Sequence, residues 1–143
     1  MQTIDWTQVA TAAIGILVPL TPYLKKGGEV VAEQLGEKIT EAAWQKGQAI
    51  WRTIKGWSDK DEDPKGKTTA ELFLDDPETF ESALTKLLVK KAKAEPEFGR
   101  ILLGLVQESM QNESVVQFLN NFYPGSTVKK FVQIGTVHGD VHV

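Results

Sequence analysis

The chain has 143 residues, of which 41% are hydrophobic and 24% charged, ordinary values for one globular domain with a tail and a real core. Its net charge of −3 excludes a dedicated nucleic-acid binder, and the absence of cysteine excludes disulfides and thiolate metal sites. No Lys or Arg precedes the first apolar run and no small-residue cleavage site follows it, so a secretory signal is not expected and a cytosolic start is the simplest reading.

Charge is unevenly spread. Residues 1–57 hold six basic and five acidic side chains, and residues 58–123 hold eight against thirteen. The segment from Pro124 onward is slightly basic. The two ends are therefore the less acidic parts.

The chain opens on Asp5 as a predicted helix N-cap, with Gln8 three residues later as its capping-box partner. No charged residue occurs from Trp6 to Leu24. As a helix that stretch extends roughly 28 Å, close to the hydrocarbon thickness of a bilayer. Trp6, Val9, Ile14, Ile16, Leu17, Val18 and Leu20 are its candidate membrane-inserting residues. The plainer reading is an ordinary buried helix, and both hold if the segment is buried at rest and inserted later. Thr7, Gln8, Thr11 and Thr21 dilute the apolarity, and Pro19 and Pro22 should kink or end the helix. Such a segment is too broken to span stably alone, so an inserted form needs many copies. Lys25-Lys26-Gly27-Gly28 then reads as a basic, flexible turn.

A long helix is predicted over 29–57, with Val31, Leu35, Ile39, Ala42, Ile50 and Ile54 as its stripe and Trp44 and Trp51 on a flanking face. Gly36 and Gly47 weaken it by about 1 kcal/mol each but let a neighbour approach closely. Residues 58–69 read as a solvated loop and 70–74 as a short helix. Asp76-Pro77-Glu78 is a strong helix start, combining cap, proline and first-turn acid. Phe80, Leu84, Leu87 and Leu88 form that helix's buried stripe, and Pro96 ends it and begins the next. Phe98, Ile101, Leu102, Leu105 and Val106 mark that following helix, and a last short one covers Glu113–Phe122. The fold class expected is all-α, a bundle of four to five helices over 1–123.

After Pro124 the pattern changes. Val132 and Ile134 alternate with polar residues, and beyond Gly135 the residues Val137, Val141 and Val143 share a face with Gly139 between them. Two short arms about a glycine bend fit a β-arch. Stacked in register, every backbone group pairs with the chain above and below, and Gln133 forms an amide ladder. A hairpin folded back on the bundle is the plain alternative.

Catalysis finds no support: both histidines lie in the tail, and no phosphate loop, HExxH or GxSxG occurs. Asp59, Asp61 and Asp63 have calcium-loop spacing, but Pro64 and Ala70 stand where Gly and Glu are needed. His138, Asp140 and His142 could bind zinc on one strand face, yet polar residues on an exposed face explain them equally. No enzyme, cofactor or metal site is expected.

Val132-Gln133-Ile134-Gly135 resembles the core tetrad of the RIP homotypic interaction motif, Ile/Val-Gln-Ile/Val-Gly. Similar motifs in bacteria, called bacterial amyloid signalling sequences, follow a small helical Bell domain. That domain is similar to fungal HeLo domains and to the executioner domain of necroptosis. The body here resembles it in the apolar N-terminal helix opening with Asp5-Trp6, the Pro-containing end and the Trp-bearing helix. His138-Gly139-Asp140 departs from the Asn-rich continuation of animal motifs. The resemblance implies a helical domain at 1–123 and an amyloid motif at 124–143. It implies a cytoplasmic effector that assembles with itself and with a receptor bearing a matching motif, then permeabilises membrane lipid at the inner membrane in bacterial programmed cell death. A non-lytic adaptor that only recruits partners is the alternative.

Overall fold

The computed structural model describes residues 5–26 and 37–140, with side chains through Ile134. All regular structure among the described residues is helical, and no strand occurs there. Helix α1 spans Trp6–Leu17, a 3₁₀ turn covers Val18–Leu20, and α2 covers Thr21–Lys26. Then follow α3 (Glu41–Lys60), α4 (Pro64–Asp75), α5 (Pro77–Ala94), α6 (Pro96–Met110), α7 (Glu113–Phe122) and α8 (Gly125–Asp140).

Capping fixes most of these boundaries. Asp5 accepts from the Gln8 amide at 3.2 Å, Asp76 from the Thr79 amide at 3.3 Å, and Asn112 from the Ser114 and Val115 amides. Each bond satisfies a donor that the first helical turn leaves without a partner. Pro77 and Pro96 stand at the first position of α5 and α6. Pro19 and Pro22 tighten the chain into a 3₁₀ turn without ending its helical course, so Trp6–Lys26 continues for 21 residues.

Three sequence expectations are corrected here. The helix expected over 29–57 begins at Glu41 and runs on to Lys60; residues 27–36, with Val31, Leu35 and Gly36, lie outside the described residues. Thr40 sets the start: its hydroxyl accepts from the Ala43 amide at 3.2 Å and donates to the Ser114 carbonyl on α7 at 2.9 Å. Ile39 is buried but precedes the helix. The loop expected over 58–69 is mostly helix, and 70–74 is the second half of α4. Asp63 caps α4, accepting from the Lys65 amide at 2.9 Å, with Pro64 next to it. Asp61 takes the Trp57 indole N–H at 3.1 Å, and Asp59 pairs with Lys55. Asp61 and Asp63 thus end α3 and start α4, and Asp59 lies in the last turn of α3.

The third concerns the tail: the residues that read as β-prone form a helix over Gly125–Asp140 in the single chain, whereas the β-arch is the expectation for stacked copies. Val128, Phe131 and Val132 fall at helical spacing, and Val128 and Phe131 are buried against the body. A stripe of three residues at that spacing coexists with the alternation of Val132 and Ile134, and in this folded chain the helical stripe finds the core.

Helix α1 is the axis of the molecule. From Val9 to Leu17 every residue but Thr11 is buried, on all sides of the helix. Thr7, Gln8 and Thr11 keep one exposed strip at its start, and the apolar turns from Ala12 to Leu17 are covered all round. Helices α3, α5, α6 and α8 pack around it. Ala10, Ala12, Ala13 and Gly15 keep it slim enough for close approach.

Candidate functional site

Three close contacts seat the segment from Trp6 to Leu24, each on a different helix and each at a glycine. The Trp6 ring lies on Gly99 of α6, where a Cβ would stand 2.7 Å from Trp6 Cη2. Leu20, in the 3₁₀ turn, presses against Gly47 of α3 so closely that a Cβ there would overlap its Cδ1. This is the close approach expected of Gly47 from sequence. The third contact is inverted: Gly15 of α1 receives Phe131 of α8, and a Cβ on Gly15 would lie 2.7 Å from Phe131 Cζ.

Tyr123, just before α8, completes the third contact. Its hydroxyl donates to the Gly15 carbonyl at 2.7 Å, and its ring meets Phe131 edge-on with centroids 5.6 Å apart. Burial, and then the Glu81 carboxylate, push the Tyr123 phenol up to about 12. The hydroxyl therefore keeps its proton, and its donor role, throughout the neutral range. Neither Tyr123 nor Phe131 stood out in the sequence as functional. The signal available was the helical spacing of Val128 and Phe131, and the Tyr-Pro-Gly break obscured it.

The predicted membrane-inserting residues come together. Val9, Ile14, Ile16, Leu17 and Leu20 are buried in one core, and Trp6 and Val18 are partly buried against it. By length and composition Trp6–Lys26 can cross a membrane, a criterion that a buried core helix also meets. The exposed Thr7 and Thr11 of α1 face two clefts. One, of about 710 Å³, lies against α8 and is lined by Gln8, Lys130, Gln133 and Ile134 among others. The other, of about 380 Å³, lies towards Glu81 and Thr85 of α5, with Tyr123 and Phe131 as its boundary.

The tetrad residues are placed on α8 beside α1. Val132 and Ile134 are half-buried and pack against the core, and Gln133 is exposed. Gly135, Val137 and Gly139 continue the helix as backbone, and Val141 and Val143 lie outside the described residues. The structure thus places two separate sequence candidates, the charge-free segment and the tetrad, on adjoining helices. Among the described residues no three His, Asp or Glu side chains converge as a metal site. No known protein family, curated protein or solved structure matches this chain.

Proposed function

We propose that this chain is a latent, amyloid-triggered membrane-permeabilising effector of bacterial programmed cell death. The observation that supports it most is the identity of one of the four helices packed on α1. It is α8, which bears Val132-Gln133-Ile134-Gly135, and its Phe131 is one of the seats of the charge-free segment. Conversion of α8 to stacked strands removes Phe131 and Val128 from the core. The segment then loses one of its supports in every copy at once, and stacking concentrates the bodies without any new contact between them. Membrane lipid receives the apolar surface that the body had covered. In this reading the partners are further copies, a receptor with a matching motif, and lipid. The chain rests in the cytoplasm and acts at the inner membrane.

The test uses full-length protein, dye-loaded vesicles and seeds of a synthetic 127–143 peptide. Seeded protein should form fibres and release dye. Gln133→Lys, at an exposed site, should keep the helical monomer and lose both. Thr11→Asp, also exposed, should keep fibre formation and lose most of the release, because a charge within a spanning segment is opposed by a few kcal/mol. Fibres without release from the parent protein would leave the adaptor reading in its place. Release undiminished by Thr11→Asp would remove the N-terminal segment from the mechanism.

A further inference from the structure

The two ends of the charge-free segment are chemically unequal, and the inequality assigns a direction and a lipid. We infer that the segment crosses the bilayer Trp6 end first, with Lys25 and Lys26 retained at an anionic headgroup layer on the side of entry. The inference rests on the membrane reading above and adds to it a topology and a lipid class.

The spacing of the aromatic residues is the first argument. Trp6 and Tyr23 bracket the apolar run, 17 residues apart in the sequence. In a helix that is roughly 26 Å, slightly less than a hydrocarbon core of about 30 Å. Trp and Tyr favour the two interfaces because each has an apolar body and a polar edge. Both are partly buried here, at opposite ends of the 21-residue course of Trp6–Lys26. Pro19 and Pro22 already sit within a helical path, so they do not bar such a span.

Charge sets the direction. The Trp6 end carries no basic side chain, whereas Lys25 and Lys26 adjoin Tyr23 and Leu24 and are exposed. Lys25 pairs with Asp75 at 2.8 Å, but both side chains are more than half exposed. A pair of that kind contributes little and exchanges readily for a lipid phosphate. Lys26 lies 5.7 Å from the Tyr23 ring centroid, which keeps its charge next to the interfacial aromatic. On the Trp6 side the adjoining charge is the acidic Asp5, and acidic residues weigh less than basic ones in setting orientation. The packed helices α3 to α8 follow Lys26 and hold that end back. The body's middle stretch carries thirteen acidic against eight basic side chains and is repelled by an anionic surface. Lys25 and Lys26 are therefore the contact that anionic lipid favours.

The chain has no cysteine, so single thiols can be placed cleanly. Thr7→Cys and Thr68→Cys, both at exposed positions, carry a fluorophore quenched by an antibody too large to pass a small leak. Vesicles contain either phosphatidylcholine alone or seven parts of it to three of phosphatidylglycerol. On seeding in the anionic vesicles, the Thr7→Cys dye should become at least fivefold less quenchable, recovering in detergent, while the Thr68→Cys dye stays quenchable. At about a fivefold affinity gain per lysine near an anionic surface, Lys25→Gln/Lys26→Gln should need roughly 30-fold more protein for equal release. A quenchable Thr7→Cys dye in leaking vesicles overturns the topology while the membrane function stands. Release that is equal with and without phosphatidylglycerol, or unchanged in the double variant, overturns the lipid class. No release from either vesicle overturns the membrane function and this inference with it.

Discussion

Gly15 concentrates the residue-scale argument. It has helical backbone, where Ala is intrinsically better by about 1 kcal/mol, yet Phe131 occupies the space a methyl group would need. Crowding of that kind costs about 1–3 kcal/mol. Gly15→Ala is expected to destabilise by about 1 kcal/mol net in urea unfolding. Gly56→Ala and Gly104→Ala, where a Cβ meets nothing within 4 Å, should stabilise by about 0.5–1 kcal/mol. Tyr123 adds a pH signature to the same contact. Its folded pKa, pushed up to about 12, lies above the ordinary value of 10. The stability from that difference is fully present below about pH 10 and is lost as pH rises towards 12. Tyr123→Phe cannot ionise, so the stability gap between it and the parent should change between pH 9 and 12 and stay constant below 9. A gap constant over the whole range would mean that the phenol is not held as the structure has it.

Between neighbouring elements, legibility depended on what ended each helix. Asp76-Pro77 and Pro96 were read directly, because a carboxylate cap or a proline acts through its nearest neighbours. Asp63-Pro64 is the same signal, masked because Gly66 and four Asp and Glu residues close by give the stretch a loop's composition. What admits Gly66 to a helix is tertiary: it is buried under the Trp57 ring. Asp63→Ala should cost about 1 kcal/mol through loss of the cap, measured by thermal unfolding. Ile39 and Ala42 continue the stripe of the long helix and so extend its expected start, and nothing local reveals that Thr40 bonds to α7. The segment Trp6–Leu24 is legible as free of charge and as a candidate buried helix; its position as the axis is not, because that depends on which helices surround it. In the tail, periods of 2 and 3.6 overlap within a few residues, and only packing decides between them. Phe131→Ala should therefore cost about 3–5 kcal/mol in the monomer. Gln133→Lys should shift the same unfolding curve by less than 0.5 kcal/mol.

At the scale of the whole molecule, α8 belongs to the packed body, which changes what truncation is expected to do. Removing residues 127–143 takes Val128 and Phe131 out of the core and uncovers Gly15. The shortened chain should unfold at lower urea than the parent and bind more of a dye that reports exposed apolar surface. Equal stability of the two forms would show that α8 contributes nothing to holding α1. The seats at Gly99, Gly47 and Gly15 engage three different helices. Under the proposed function that arrangement guards against misfiring. A lone molecule bares its segment only when independent fluctuations coincide, so the rate of accidental release is a product of small probabilities. An assembly that dismantles one seat in all its members removes a factor from that product for each of them, and a graded stimulus becomes an abrupt one.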